Sequence, residues 1–133
     1  MPVGIDTNVQ LRMVLNDDPV QRKLAVTFGQ SLTVEHPGYI SVIVLVELNW
    51  ALASRYRQSK ADILSTIRRL LRTRTLVIES HDAVVRALER ASAAGVEFAD
   101  ALIAEHNLAQ GCTRTVTFDT DAASGIPAME LLA

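Results

Sequence analysis

The sequence predicts an α/β fold, a single-domain α/β/α sandwich with a mostly parallel central sheet. Short β-branched runs alternate with amphipathic segments of about ten to fifteen residues, and such segments are long enough to return the next strand parallel to the last. The composition is ordinary for a globular protein, with 49% hydrophobic and 21% charged residues. A length of 133 residues predicts one domain over residues 1–133.

The first half of the chain is predicted to contain two strands and four helices. The strands cover residues 2–5 and 39–40, and the first helix follows the loop at residues 6–8 and ends near residue 15. Capping signals start the next three helices, which extend to about residues 32, 56 and 72. These signals are Asp18 before Pro19, Ser41, and Ser59 with Asp62 three residues later.

The second half continues the alternation. Runs of β-branched residues predict strands at residues 76–79 and 115–118, and a weaker run predicts a last strand at residues 128–131. A helix capped by Ser80 is predicted to stop at Gly95. A further helix is predicted from about Glu97 to Ala109, with Gly111 closing it.

Composition excludes several kinds of protein. A net charge of −2 argues against a protein that coats nucleic acid along its whole surface, and 5% aromatic residues argue against base-stacking platforms. The lone Cys112 excludes an internal disulfide and is predicted to be a small buried apolar residue. Because the chain has neither a basic-then-apolar leader nor the roughly 20 apolar residues of a membrane span, we predict a cytoplasmic protein.

Two acidic residues follow predicted strands. Asp6 comes directly after the first strand, and Asp119 directly after the strand at residues 115–118. Ligands of α/β sheets bind beyond the carboxyl ends of the strands, so these carboxylates would face one crevice if their strands are neighbours. The alternative for Asp6 is that it caps the following helix, which requires no ligand.

Two further carboxylates interrupt apolar helix faces. Glu47 lies one helical turn from Ile43 and Trp50, and Asp100 lies in the apolar segment 98–103. A buried, unpaired carboxylate is so unfavourable that each must find a cation, hydrogen-bond donors or a proton. For Glu47 taken alone, the leading alternative is a structural pair with a buried arginine.

A divalent cation would explain four clustered carboxylates, which otherwise repel one another. Mg²⁺ takes oxygen ligands and needs only one or two carboxylates besides waters and substrate phosphate oxygens. Zinc would require His or Cys spacing, whereas His36, His81 and His106 are scattered and are predicted to be surface residues. An acidic Mg²⁺ pocket is typical of phosphodiester hydrolysis.

Four motifs occur along the chain: Gly4-Ile5-Asp6-Thr7-Asn8, Ile40-Ser41 followed by Glu47-Leu48, Phe98-Ala99-Asp100-Ala101-Leu102-Ile103, and Thr117-Phe118-Asp119. Together and in this order, they resemble the motifs of the PIN-domain nucleases. Among these nucleases, the chain most resembles the VapC toxins of bacterial toxin–antitoxin pairs. The resemblance spans nearly the whole chain and is specific as a set.

The resemblance implies an endoribonuclease dependent on Mg²⁺ or Mn²⁺ that hydrolyses RNA with a metal-activated water. The implied catalytic metal ligands are Asp6, Glu47, Asp100 and Asp119. Thr7 would lie near the metal, Thr117 would orient Asp119 or the water, and Asp121 would be a water-mediated ligand or, alternatively, a helix cap. A homodimer and a silencing VapB-type antitoxin are also implied.

Basic residues concentrate between residues 55 and 74. They are Arg55, Arg57, Lys60, Arg68, Arg69, Arg72 and Arg74. Such a patch, in particular Arg68, Arg69 and Arg72, can hold RNA phosphates beside an acidic pocket that would otherwise repel them. The alternative is a solvated helix face with an ordinary scatter of charge.

Two other functions stay open. A metal-dependent phosphatase or phospho-acceptor would use an Asp after a strand as its nucleophile, but it requires Asp-x-Asp after the first strand or a Lys after a later one. The sequence has neither. A non-catalytic PIN-like module that binds RNA or protein would be favoured by the loss of one acidic residue, and all four are present.

Overall fold

The structure is a computed structural model that describes residues 1–133, except for the side chain of residue 94. Its internal contacts divide the chain into a first unit, Met1–Glu79, and a second unit, Ser80–Ala133. The predicted α/β class is confirmed, because every strand ladder is parallel and helices connect the strands. The ladders form two sheets, one in each unit. No helix in the described part of the chain could span a membrane.

The first unit contains a three-stranded parallel sheet in the order β1-β2-β3. Its strands are β1 Val3–Gly4, β2 Gly38–Ile40 and β3 Leu76–Ile78. Its helices are α1 Thr7–Val14, α2 Pro19–Ser31, α3 Val42–Trp50 and α4 Lys60–Arg72. Helix α1 packs against α2 and α3. The core includes the fully buried Leu11, Ile40, Leu45, Leu48 and Ile67.

The predicted starts of α2, α3 and α4 are confirmed, whereas α1 begins at Thr7, inside the predicted loop at residues 6–8. The side-chain oxygens of Asp18, Ser41 and Ser59 accept hydrogen bonds from the third amide along, at 3.0, 3.2 and 3.1 Å. Each bond satisfies an amide that the first turn of a helix leaves unpaired. Local sequence therefore fixes where α2, α3 and α4 begin.

Helix α3 does not continue regularly to Tyr56, as the sequence predicts. It passes after Trp50 into a π-helical turn, Ala51–Arg55. The Tyr56 N–H donates to the Ala51 carbonyl at 3.2 Å, one residue further back than in an α-helix. The extra residue in this turn changes the direction of the side chains that follow it.

The second unit combines a helical hairpin with a small parallel sheet. Helices α5 His81–Ala94 and α6 Phe98–Ala109 pack along each other. Strands β4 Thr115–Thr117 and β5 Met129–Leu131 flank the short helix α7 Thr120–Gly125. The predicted stop of α5 is confirmed, since Gly95 has a φ of +69°, which a residue without a Cβ adopts at little cost.

Two local predictions in the second unit are wrong. Ser80 does not cap α5: its φ is +51°, and its hydroxyl lies 2.9 Å from His106 Nδ1 instead of bonding a helix amide. Cys112 is exposed rather than buried. It follows Gly111 in the loop between α6 and β4, outside the packed helical hairpin.

Candidate active site

Asp6 lies beyond the carboxyl end of β1, as the sequence predicts. It occupies the N-cap position of α1 with extended backbone angles, but its side chain makes no capping hydrogen bond. The residue is exposed. Helix capping therefore does not account for this carboxylate, which is accessible to a ligand.

Glu47 on α3 is held by Thr7 on α1. The Thr7 hydroxyl donates a hydrogen bond of 2.8 Å to Glu47 Oε1 across 40 residues of sequence. The packing of α1 against α3 brings the two side chains together. Thr7 thus orients one of the four predicted acidic residues.

The interpretation that Glu47 interrupts a buried apolar face is wrong. Glu47 is exposed, and its apolar neighbours Ile43 and Trp50 are 69% and 59% exposed. The buried face of α3 carries Leu45 and Leu48 instead. An apolar face in the sequence is here an exposed one, so the carboxylate is hydrated and needs no buried arginine.

The carboxylates of Asp6 and Glu47 line one cavity of about 350 Å³, which we call the first acidic cavity. Its polar lining residues are Asp6, Thr7, Asn8, Glu47 and Arg55. It lies within the first unit, between the start of α1 and the α3–π-turn segment. The structure therefore brings together two of the predicted ligands, with one arginine beside them.

Asp100, in the first turn of α6, is half-buried. Burial raises the pKa of its carboxyl above the ordinary value, and the negative charges of Asp119 and Glu97 raise the pKa further. All these causes penalise the ionised form. The surroundings of Asp100 in the second unit therefore disfavour a negative charge on its carboxyl.

Asp119 lies just beyond the carboxyl end of β4. Its Oδ1 accepts a hydrogen bond of 3.0 Å from the Ala122 N–H, and its own N–H donates to Thr117 Oγ1 at 3.0 Å. Asp119, rather than Asp121, is therefore the cap of α7. Thr117 thus restrains the backbone of Asp119, and the orienting role that the family resemblance implies for it stays a prediction.

Carboxylates dominate a second cavity, of about 390 Å³, within the second unit. Its charged lining residues are Glu97, Asp100, Asp119 and Asp121, and no Lys or Arg of the described residues lines it. We call it the second acidic cavity. Asp121 lies in the first turn of α7 and adds its charge to this cavity.

The donor chemistry of both cavities fits a hard divalent cation. No three His, Cys, Asp or Glu side chains in the described part of the chain are arranged as a complete metal site. Each cavity instead offers a pair of predicted carboxylate ligands, and Mg²⁺ needs only one or two beside water and phosphate oxygens. The repulsion that raises the pKa of Asp100 is of the kind that a cation relieves.

The three predicted RNA-binding arginines lie in the last turns of α4. Arg69 and Arg72 are exposed, whereas Arg68 is half-buried. One bond of Arg69 is local, from its Nη2 to Thr66 Oγ1 at 3.4 Å. The basic patch of the sequence is therefore largely accessible, and its role stays a prediction.

Sequence reasoning missed one buried carboxylate and the special place of one arginine. Glu105 on α6 is 2% exposed and pairs with Arg86 and Arg90 of α5. Because the partners lie on another helix, no local spacing signals the cluster.

Arg55 belongs by sequence to the basic residues at 55–74, but in the structure it lines the first acidic cavity. Its spacing of eight residues from Glu47 is the only signal that could have placed it there.

The chain is similar to one protein family and to solved structures. The PIN domain family model matches residues 3–125. The crystal structure of VapBC2 from Rickettsia felis, bound to a DNA fragment from their promoter, contains a chain similar to this one. The two chains are 18% identical, each is covered over 100% of its length, and the TM-score is 0.38. No curated protein matches the chain.

The parallel strands define an α/β protein with exposed acidic residues, Asp6 and Asp119, just beyond the carboxyl ends of two of them. The family match covers all four acidic positions, from Asp6 to Asp119. The chain belongs to the PIN domain family, as the sequence motifs predict. PIN domains are generally nucleases, so membership supports a hydrolase that acts on nucleic acid.

Proposed function

We propose that the chain is a metal-dependent endoribonuclease and the toxin of a VapBC toxin–antitoxin pair. The observation that carries this proposal is the pairing of carboxylates in both units, Asp6 with Glu47 and Asp100 with Asp119, in cavities that suit a hard cation. The restriction to RNA and the toxin role rest on the four sequence motifs. Mg²⁺ is the proposed metal, and Mn²⁺ has the same preference for oxygen ligands.

The proposed ligands are Asp6 and Glu47 from the first unit and Asp100 and Asp119 from the second. A bound divalent cation would supply the positive charge that activates a water and offsets the charge developing on phosphate oxygens. The chain itself keeps Glu47 in position through the Thr7 hydroxyl. It fixes the backbone of Asp119 through Thr117, while Asp121 adds negative charge nearby.

This chemistry needs no protein nucleophile. Ser41 caps α3, because its Oγ accepts the Val44 N–H at 3.2 Å. Ser80, whose hydroxyl bonds His106, is not among the residues that line either acidic cavity. We therefore propose direct attack by water on phosphorus.

The proposed partners follow from the same family motifs. RNA is the substrate, and Arg68, Arg69 and Arg72 bind its phosphates outside the acidic cavities. A VapB-type antitoxin silences the enzyme, and the chain forms a homodimer. We propose that one PIN domain, residues 1–133, performs this activity in the cytoplasm.

Cleavage of a mixed cellular RNA pool tests the proposal. Purified chain without antitoxin is incubated with Mg²⁺, with Mn²⁺ and with EDTA, and the Asp6→Asn variant controls for contaminating nucleases. We expect cuts that need metal and are absent with the variant. Absence of cleavage by folded wild-type chain with either metal would contradict the nuclease and favour a non-catalytic binding module.

Salt dependence of RNA binding tests the arginine patch separately. Replacing Arg68, Arg69 and Arg72 together by Ala should weaken binding and flatten its salt dependence, because each phosphate contact releases counterions. An unchanged affinity and slope would remove these arginines from the proposal without affecting the nuclease.

A further inference from the structure

The π-helical turn Ala51–Arg55 sits beside the first acidic cavity. Its hydrogen bond, from the Tyr56 N–H to the Ala51 carbonyl at 3.2 Å, replaces the regular α-helical pattern. Such single turns are rare and are frequently found at functional sites. The turn matters for the cavity because it sets the direction in which its side chains point.

Three residues of this segment line the cavity at a spacing of four, namely Glu47, Ala51 and Arg55. On a regular α-helix, each step of four residues turns a side chain about 40° past its predecessor. A second such step would carry Arg55 further round the helix, away from the line of Glu47. The wider π turn rotates less per residue and offsets this drift, so Arg55 stays on the cavity side.

Arg55 has no protein partner that occupies its guanidinium. It is exposed and takes part in no hydrogen bond or ion pair within the described residues. The nearby acid Asp17 is already bound by Tyr56 Oη at 2.7 Å and by Arg12 Nη1 at 3.4 Å. The hydrogen bond from Tyr56 is the main cause that lowers the pKa of Asp17, with the charges of Arg12 and Arg55 adding less.

A polyanion entering a cavity lined by Asp6 and Glu47 meets repulsion before any metal contact forms. A guanidinium at the same cavity offsets this repulsion, and its planar fork matches two oxygens of one phosphate. We propose, building on the ribonuclease function above, that Arg55 binds a backbone phosphate of the RNA strand in the first acidic cavity. Arg55 is thus a substrate-binding residue rather than part of the general basic surface.

The test compares Arg55→Ala and Arg55→Lys with a matched control, Arg57→Asn. Arg57 is exposed, lies two residues on, and does not line the cavity. Its φ is +51°, a conformation that Asn tolerates, so the control removes one charge without new strain. Circular dichroism and thermal unfolding establish that all variants are folded.

We expect Arg55→Ala to raise KM for RNA about tenfold or more, with a smaller change in kcat, because a charged hydrogen-bonded contact is lost. Arg55→Lys should recover part of the loss, since it keeps the charge but not the fork. Arg57→Asn removes one charge of the basic patch outside the cavity and should raise KM much less than Arg55→Ala does. A KM for Arg55→Ala equal to that of the control, or a loss confined to kcat, would overturn the inference.

Binding to uncleaved RNA separates this inference from the nuclease proposal. In the Asp100→Asn background, Arg55→Ala should weaken RNA binding and lower the salt slope by about 0.7, the value for one phosphate on a single strand. An inactive wild type whose RNA affinity still depends on Arg55 would overturn the nuclease and keep the binding site. If wild type is active but replacing Arg55 changes neither the RNA affinity nor its salt slope, the binding site alone is overturned.

Discussion

The two ends of helix α6 carry carboxylates in opposite electrostatic environments. Near its start, Asp100 meets Glu97 and Asp119, and burial together with their charges raises its pKa. Near its end, the buried Glu105 accepts hydrogen bonds from Arg86 and Arg90 at 2.9 and 2.8 Å. One carboxylate on the helix is neutralised by the protein, and the other is not.

Glu105 explains what neutralisation requires. Burial alone would raise its pKa, but the hydrogen bonds from Arg90 and Arg86 outweigh burial and lower the pKa below its ordinary value. The pair of arginines also ties α5 to α6. A carboxylate that is merely buried is therefore a poor marker of function, whereas one left without a cation, such as Asp100, is available to a metal.

The largest expected difference between Asp100 and Glu105 is in the effect of their replacement on RNA cleavage. Asp100→Asn should lower the rate of RNA cleavage by at least about 100-fold, since even outer partners of metal ligands are often worth 10- to 100-fold. Glu105→Gln should retain near-wild-type activity per folded molecule. The assay is initial cleavage rate at saturating Mg²⁺, normalised to the folded fraction. Equal losses in the two folded variants would remove the distinction between the ends of α6.

Stability should respond in the opposite order. Replacing Arg86 and Arg90 together by Ala leaves Glu105 buried and unpaired, and should cost about 3 kcal/mol of unfolding free energy. Asp100→Asn removes repulsion and should stabilise the metal-free protein by less than about 1 kcal/mol, because the carboxylate is only half-buried and water screens part of the repulsion. Denaturant unfolding with EDTA at pH 7 measures both.

An exposed ion pair provides the control for this measurement. Arg114 and Glu130 lie 3.2 Å apart with both side chains about 60% exposed. Arg114→Ala should therefore cost less than about 1 kcal/mol. A marked loss of stability in Asp100→Asn would show that Asp100 is a structural residue instead of a metal ligand.

Sequence predicted most of the fold because its signals are local. Capping side chains such as Ser41 and Ser59 bond amides three residues away, and Gly95 ends α5 through its own backbone angle. The π turn escaped prediction, because the segment from Ala51 to Tyr56 contains no Gly or Pro that would mark a break in the helix. Ser80 escaped for a similar reason, since its hydroxyl finds a partner 26 residues away.

The same limit applies to the carboxylates. The apolar neighbours of Glu47 led to the prediction that it is buried. The sequence alone does not show whether an apolar helix face packs on the core or is exposed to solvent. The buried carboxylate is Glu105, whose arginine partners lie 15 and 19 residues away on α5. The family motifs suggested only that Thr7 lies near the metal, and nothing in the sequence predicted its hydrogen bond to Glu47, 40 residues away. The four metal ligands themselves stay predictions.

The pH dependence of stability should show the neutralised end of α6 directly. Because the fold lowers the pKa of Glu105 below its ordinary value of 4.5, the ion pair stabilises the protein above that pH. This contribution is lost as the pH falls through the lower, folded-state pKa. Glu105→Gln should cost about 1 to 2 kcal/mol at pH 7, and its difference from wild type should shrink below about pH 4.

Unfolding of wild type and Glu105→Gln between pH 3 and 7 measures this trend. Glu89→Gln serves as the control, since Glu89 is an exposed acid on α5. Replacing it removes one acid of α5 without disturbing the pairing of Glu105 with Arg86 and Arg90. A Glu105→Gln difference that grows as the pH falls would mean that the two arginines do not lower the pKa of Glu105.

The smallest expected change in stability comes from replacing the threonines that hold acidic residues of the two cavities. Thr7→Val removes the 2.8 Å bond to Glu47, a hydrated carboxylate, so stability should change by less than about 0.5 kcal/mol. Metal affinity should nevertheless fall about tenfold, because an unrestrained ligand must be ordered on binding. Thr7→Ser keeps the hydroxyl and should behave as wild type. Titration calorimetry with Mn²⁺ in the absence of RNA measures the affinity.

The matching change in the second unit is Thr117→Val. Thr117 bonds the backbone of Asp119, whose side chain is also held by the Ala122 N–H at 3.0 Å. Two restraints act there, whereas Thr7 provides the one side-chain bond to Glu47 found among the described residues. Thr117→Val should therefore weaken Mn²⁺ binding less than Thr7→Val does. The reverse order would show that backbone placement of Asp119, rather than orientation of Glu47, limits metal binding.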